Sequence, residues 1–318
     1  MTAKELVTGV YYIPGPTNVG VITSKGRGFS KAVDVYLVDS GGDREDAERI
    51  YGELEELFPS KKGGFKLRAV INTHSHADHA GGNAFFAEKT GCQIWCPRVE
   101  AGGLECSLLQ SIIHCGAMPL EHMRSSYYVA EPSKADLLLE EKTQIKLRGG
   151  SSLSFISLPG HYLGMLGVLF TSRDGKRVFF PGDAVFGRNH VLKFWISYLV
   201  DLDSFKKTLL QLDQTDFTWY VPSHGEPAEE IHETVEMNQI AILSTERSIL
   251  KALEGDLQLT FSELMKKVAD MNEIKMRTPQ YLLIGGTIRS YLCSLYGRNK
   301  ITCGMKDNML LWSLAEEN

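Results

Sequence analysis

The chain has 318 residues, with 34 Lys and Arg against 39 Asp and Glu, for a net charge of -5. That length suits one large α/β domain with a smaller companion and a substantial core. The mixed, slightly acidic balance offers no basic surplus for nucleic acid, and no apolar run reaches membrane-spanning length. The opening Met1-Thr2-Ala3-Lys4-Glu5 turns acidic early and leads into no apolar stretch with a cleavage site. No signal peptide is therefore read, and a cytoplasmic location is expected.

In chain order, Val7 to Ile13, Val19 to Thr23 and Ala32 to Val38 are rich in β-branched and aromatic residues and read as strands. Asp39-Ser40-Gly41-Gly42 breaks the pattern, and Asp43 to Leu57 has the apolar spacing of a surface helix. Leu67 to Asn72 is an apolar strand, and Ala84 to Lys89 reads as a helix. Residues 97 to 142 form a middle insertion broken by Pro97, Gly102-Gly103, Pro119 and Pro132, expected to be irregular or made of short helices. Four further strands are expected at Gln144 to Leu147, Leu153 to Leu158, Leu166 to Thr171 and Arg177 to Phe180. An amphipathic helix from Asp203 to Leu212 and a short strand from Thr218 to Val221 follow. Such alternation implies helices layered on sheets.

A boundary near residue 230 separates a tail of different texture: a helix from Val235 to Leu253, then Thr260-Phe261-Ser262-Glu263 as a capping box. The second helix runs to about Met271. Thr278-Pro279 opens a third helix, with Thr278 as the expected N-cap, running to about Tyr296. Ile301 to Met305 and Met309 to Leu314 flank a turn and read as a hairpin. Three helices and a hairpin make a winged-helix pattern.

The six cysteines (Cys92, Cys96, Cys106, Cys115, Cys293 and Cys303) are scattered, which fits reduced thiols. Cys92 and Cys96 have zinc-like spacing without a second pair. Cys106, His114, Cys115 and His122 lack anything nearby to fix a metal geometry.

Chemistry concentrates in Thr73-His74-Ser75-His76-Ala77-Asp78-His79, where four ligand-type residues fall within six positions after an apolar strand. Neutral imidazole suits zinc and iron, and carboxylate adds hard oxygen and neutralising charge. A loop leaving a strand end can turn His74 and His76 towards one ion and Asp78 and His79 towards another. His161, Asp183 and His224 each follow an apolar run ending in Gly or Pro, at strand ends where α/β folds assemble sites. The seven residues point to a two-metal hydrolase.

With these residues the chain resembles the metallo-β-lactamase-fold hydrolase superfamily over roughly residues 7 to 230. The family's H-x-H-x-D-H motif stands here as His74, His76, Asp78 and His79, and its later His, Asp and His as His161, Asp183 and His224. The resemblance implies an α/β (α+β) four-layer αββα sandwich over residues 1 to 230. It implies that His74, His76 and His161 hold one metal, that Asp78, His79 and His224 hold the other, and that Asp183 bridges them. Asp39 matches a further family feature beside the site, as a residue supporting the ligands. Asp183 as bridge argues against native β-lactamase activity, and His76, where flavodiiron enzymes of this fold have Glu, argues against those oxidoreductases. Residues 231 to 318 resemble the winged-helix-like domain of lactamase-β-2-like hydrolases through Thr287 to Leu292, Arg298-Asn299-Lys300 and Leu311 to Leu314.

Two divalent ions are expected, zinc first and iron or manganese as alternatives, acting on a small-molecule ester, thioester, lactone or phosphodiester. Asp78 is the expected nucleophile-orienting group, and His190, seven residues after Asp183, the candidate proton donor. Tyr162 follows His161 and can reach the pocket, although packing is its simpler role. Met118, Met123, Tyr127 and Tyr128 are candidates for an apolar wall. The Thr73 to Asn83 stretch resembles the glyoxalase II version of the motif, but the tail does not resemble that enzyme's glutathione-binding helices. Two alternatives stand beside hydrolysis: a single-stranded RNA or DNA nuclease guided by the tail, and an iron-dependent sulfur dioxygenase of the same fold. From Glu236 onward ten basic residues meet ten acidic ones, so the tail lacks the clustered charge that phosphate binding needs. That balance favours a homodimer contact or a pocket wall over a nucleic-acid wing.

Overall fold

The computed structural model describes residues 2–316 apart from 27, 29, 30 and 256. Seven strands form a first sheet in sequence order: β1 (Lys4–Val7), β2 (Val10–Ile13), β3 (Val19–Ser24), β4 (Val33–Val38), β5 (Phe65–Ile71), β6 (Gln93–Pro97) and β7 (Leu137–Leu139). β1 to β4 pair antiparallel, and β4 to β7 pair parallel. A second mixed sheet has the order β12-β11-β10-β9-β8, built from β8 (Gln144–Lys146), β9 (Ser152–Ser157), β10 (Leu166–Thr171), β11 (Arg177–Gly182) and β12 (Trp219–Pro222). Only β11 and β12 run parallel in it.

Side-chain alternation along the strands divides the core into layers. Ile22, Tyr36, Val38 and Ile71 point between the sheets, against Phe155, Val168, Phe170 and Phe180. Val21, Val35, Leu37 and Val70 point outward and pack under helices α1 (Arg44–Leu57) and α3 (Asn83–Thr90). Fully burying each such side chain contributes about 1.5–3 kcal/mol. The other outer face carries Phe179 and Leu158 under α7 (Leu202–Asp213) and α8 (His232–Ala252). The four layers are helix, sheet, sheet and helix, as expected. Asp43 caps α1 by accepting from the Asp46 N–H, and Asp201 caps α7 by accepting from the Ser204 N–H.

Several expectations need correction. The run from Val7 to Ile13 is broken at Thr8-Gly9, because Gly9 turns the chain back at φ 79° and makes two paired strands of it. The insertion contains short helices, α4 (Ala101–Glu105) and α5 (Leu108–Cys115), but its last part returns to the first sheet as edge strand β7. Short helices α2 (Ala77–Ala80) and α6 (Arg188–Phe194) were not foreseen. Of the four residues proposed as an apolar wall, Met123 is instead fully buried within the insertion, while Met118 is exposed.

In the tail, α8 is followed by β13 (Leu259–Thr260), α9 (Phe261–Met271), α10 (Thr278–Gly297), β14 (Ile301–Lys306) and β15 (Met309–Leu314), with sheet order β13-β15-β14. Thr260 and Glu263 form the capping box. Thr278 lies inside α10, where Arg277 is the cap and its N–H donates to Gln280. Asp307 and Asn308 both have positive φ, which closes the β14–β15 hairpin in two residues. The apolar interior of the tail, including Leu264, Ile288 and Leu292, is continuous with the outer face of the second sheet. Glu246 of α8 pairs with both Lys206 of α7 and Arg298 beyond α10. All six cysteines are free.

Candidate metal centre

Every predicted ligand sits just beyond the C-terminal end of a strand. His74 and His76 follow β5, and Asp78 and His79 occupy the single turn of α2. His161 follows β9, Asp183 follows β11 and His224 follows β12. Gly81 and Gly82 let α2 press against the loop after β4. A Cβ at Gly81 would lie 2.0 Å from Gly42 O, and one at Gly82 would lie 2.3 Å from Ser40 O. Gly160 gives the His161 loop similar access to α7, where a Cβ would meet the Phe205 backbone at 2.4 Å.

These residues converge. Donor atoms gather in three groups: His74, His76 and His161; His74, His79 and Asp183; and Asp78, His79 and His224. Asp183 stands between the outer groups, 3.4 Å from His79 Nε2 through Oδ1 and 3.3 Å from His161 Nε2 through Oδ2. His224 Nε2 lies 3.5 Å from Asp183 and 3.1 Å from Asp78. His76 Nδ1 faces His161 Nε2 at 3.0 Å.

The far side of four imidazoles is fixed by a partner. His79 Nδ1–H donates to Asp39 Oδ2 at 2.8 Å, His161 Nδ1–H to Tyr198 O at 2.8 Å and His224 Nδ1–H to Pro16 O at 2.8 Å. Thr73 Oγ1 gives its proton to Asp39 at 2.9 Å and so accepts from His74 Nδ1–H at 3.0 Å. Each bond selects the tautomer whose Nε2 lone pair faces the centre. Thr17 Oγ1 donates to Asp78 at 3.3 Å, and Asn18 Nδ2 ties Pro222 O to Gly225 O around His224.

The donors fit divalent cations on two observations. First, His74 Nε2, His79 Nε2 and Asp183 Oδ1 are buried without a hydrogen-bond partner. Buried polar atoms left unpaired are costly, and a cation satisfies several at once. Second, charge divides within the cluster. Burial and neighbouring histidines hold His74 and His76 well below their ordinary range, as neutral ligands. Burial pulls His79 and His224 the same way, but Asp183 and Asp78 outweigh it, raising His79 strongly and His224 to about 10. Burial raises Asp183, but His224, His79 and His161 together pull it well below its usual value. The pocket thus attracts positive charge at the position of the second ligand set. Among the described residues, Cys92, Cys96, Cys106, His114, Cys115 and His122 join no such group.

His190 stacks on Phe186 with ring centroids 4.5 Å apart and stands 5.1 Å from the His224 ring. Tyr162 packs on His76 at 4.4 Å and is almost wholly buried. Tyr127 is exposed, and partial burial with the charges of Asp78 and Asp183 raises its pKa. The tail also reaches the site. Thr287 of α10 accepts from Leu199 N at 3.1 Å and donates to Ser197 O at 3.3 Å, on either side of the Tyr198 carbonyl that holds His161. Thr17, Asn18, Tyr198 and Thr287 were missed from sequence because none lies near the ligand motif and hydroxyls and amides are common everywhere.

The model of the Metallo-beta-lactamase superfamily matches residues 12–224. A hydroxyacylglutathione hydrolase from Hyphomonas neptunium is 28% identical over 152 residues, which is 48% of this chain and 47% of that protein. Hydroxyacylglutathione hydrolase GloC from Haemophilus influenzae is 25% identical over 150 residues, 47% of this chain and 60% of that protein. The chain thus spans about half the length of the curated relatives it matches. A beta-lactamase domain protein from Burkholderia ambifaria shares the fold, with a TM-score of 0.77 at 16% identity over 98% of this chain and 93% of its own.

Proposed function

The chain belongs to the metallo-beta-lactamase superfamily, and on that premise we propose that it is a hydrolase working with two zinc ions on a small ester or thioester. The observation that carries this reading is Asp183, whose two carboxylate oxygens point one each towards His79 and His161, members of the two outer donor groups. His74, His76 and His161 would hold one ion, Asp78, His79 and His224 the other, and Asp183 would bridge them. Such ions supply Lewis acidity, polarising a carbonyl oxygen and making water nucleophilic near neutral pH.

The protein's own groups have separate tasks. Asp78, with a side chain 35% exposed, is the ligand most open to solvent and orients incoming water. Thr17 limits its rotation. His190 lies 5.1 Å from the His224 ring and, lowered to about 4 by burial and His224, lines the pocket as a neutral imidazole rather than as a ready proton donor. Tyr162 and Phe186 form apolar walls that exclude bulk water. Thioesters come first because the matched relatives act on hydroxyacylglutathione. The tail, equal in acidic and basic residues from Glu236 onward, serves as a buttress of the site rather than a nucleic-acid wing.

The test is metal analysis followed by a panel of chromogenic thioesters, esters, lactones and phosphodiesters with the zinc-loaded protein. Two zinc ions per chain and turnover of a thioester or ester are expected. One iron per chain with no activity in zinc would overturn the reading and favour sulfur oxidation. Salt-sensitive retention on single-stranded RNA would favour the nuclease.

A further inference from the structure

Glu100 is a buried carboxylate outside the ligand set, 2% exposed, at the start of α4 in the insertion. Its Oε2 accepts from Ser75 Oγ at 2.7 Å, and its Oε1 accepts from Gly164 N at 2.7 Å. Ser75 lies between His74 and His76, and Gly164 lies three residues after His161. One carboxylate therefore clamps together the two chain segments that supply the first ligand set. The fit leaves no slack. A Cβ at Gly103 would lie 2.5 Å from Ser75 Oγ, and one at Gly164 would lie 2.6 Å from Val99 Cβ and 3.0 Å from Glu100 Oε1.

Both oxygens act as acceptors, so the group needs no proton of its own to satisfy its contacts. Burial raises its pKa, against the hydrogen bonds from Ser75 and Gly164, which lower it. Unpaired carboxylates are rarely kept in a dry interior without a compensating cation nearby. Glu100 acts on the centre through its two hydrogen bonds to the ligand-bearing segments. Its bonds fall on Ser75, between His74 and His76, and on Gly164, in the loop of His161.

We infer that Glu100 is a positioning residue that selectively supports the ion held by His74, His76 and His161, by locking the Ser75 and Gly164 segments. The inference rests on the two-ion reading above. Residues supporting metal ligands typically carry about 10–100-fold of metal affinity. Because Asp78, His79 and His224 are held by Thr17, Asp39 and Pro16 rather than by Glu100, only one of two ions should respond.

The experiment strips the full-length protein with a chelator and titrates zinc against a competing chromophoric chelator. Glu100→Gln removes the charge and one acceptor at constant volume. Ser75→Ala removes only the hydroxyl. Each is expected to bind one zinc with wild-type affinity and the second about 10–100-fold more weakly. Asp78→Asn should weaken the other ion, and the Glu100→Gln/Asp78→Asn pair should weaken both. Equal weakening of both ions by Glu100→Gln would show a general loosening and overturn the inference, as would two unchanged affinities in Glu100→Gln and Ser75→Ala. If Glu100→Gln does not fold, as judged by circular dichroism, Ser75→Ala decides alone. A wild-type protein that binds no zinc overturns the two-ion reading and this inference with it. A wild-type protein with two ions and indifferent variants overturns this inference only.

Discussion

Asp39 Oδ2 stands 2.8 Å from His79 Nδ1, while Oδ1 of the same carboxylate takes the Thr73 N–H at 2.8 Å. Through Thr73 Oγ1 it also fixes His74. One residue at the end of β4 thus orients a histidine from each outer donor group. It does so from a left-handed backbone at φ 63°, which Asp and Asn tolerate better than other side chains. Asp39→Asn keeps that backbone and removes the charge. Zinc affinity should fall about 10–100-fold at both sites. Unchanged affinity for both ions in a competition titration would refute the role.

Asp183→Ala removes the group between the two donor sets. The variant is expected to lose at least one zinc per chain and nearly all hydrolytic activity. Undiminished metal content together with undiminished turnover would rule out the bridge.

Thr287→Val keeps the shape of a fully buried side chain and deletes its hydroxyl, leaving Leu199 N and Ser197 O without that partner. Unpaired buried groups of this kind cost about 1–3 kcal/mol. Because Tyr198 lies between them and holds His161, thermal melting and zinc affinity should fall together. A melting temperature and a zinc affinity that both match wild type would separate the tail from the site.

Gly20 on β3 faces the second sheet so closely that a Cβ would lie 2.4 Å from the Phe180 ring. Gly20→Ala should force the ring aside and destabilise the fold by about 1–3 kcal/mol. Calorimetry should report a lower melting temperature with the stoichiometry of zinc unchanged; a wild-type melting temperature would mean the sheets part at little cost.

The ion-free protein should have an unusual pH dependence. His79 and His224 are raised by Asp78 and Asp183, so their contribution is complete below the ordinary histidine value of about 6.5 and is lost as pH rises, through about 10 for His224. His74 and His76 are depressed by burial, so theirs is complete above about 6.5 and is lost as pH falls. Melting temperature after chelation should peak near neutrality and decline towards pH 10, and zinc should abolish the alkaline decline. A chelated protein that gains stability from pH 7 to 10 would contradict this account.

Much of the architecture was legible locally. Strands such as Val19–Ser24 and Leu166–Thr171 have the β-branched and apolar content of buried strands, and Asp43 and Thr260 mark helix starts through their own side chains. Short features escaped because their signals are weak over three or four residues: β7 owes its existence to pairing with β6, and the break at Gly9 depends on one glycine's positive φ.

The sequence alone picked out the candidate ligands, because His74, His76, Asp78 and His79 are crowded into one loop and His161, Asp183 and His224 each end an apolar run. It also determined the family, whose motif they match. The division of the donors was implied only by the family resemblance, and the tertiary structure supplies its geometry, bringing His161 to His76 and His224 to Asp78 across 85 and 146 residues of sequence. It placed the expected support Asp39 behind His79, and it alone revealed Thr287 behind Tyr198 and Glu100 between Ser75 and Gly164. A hydrogen bond at 2.7 Å depends on where two backbones meet, and no local pattern of residues records that meeting.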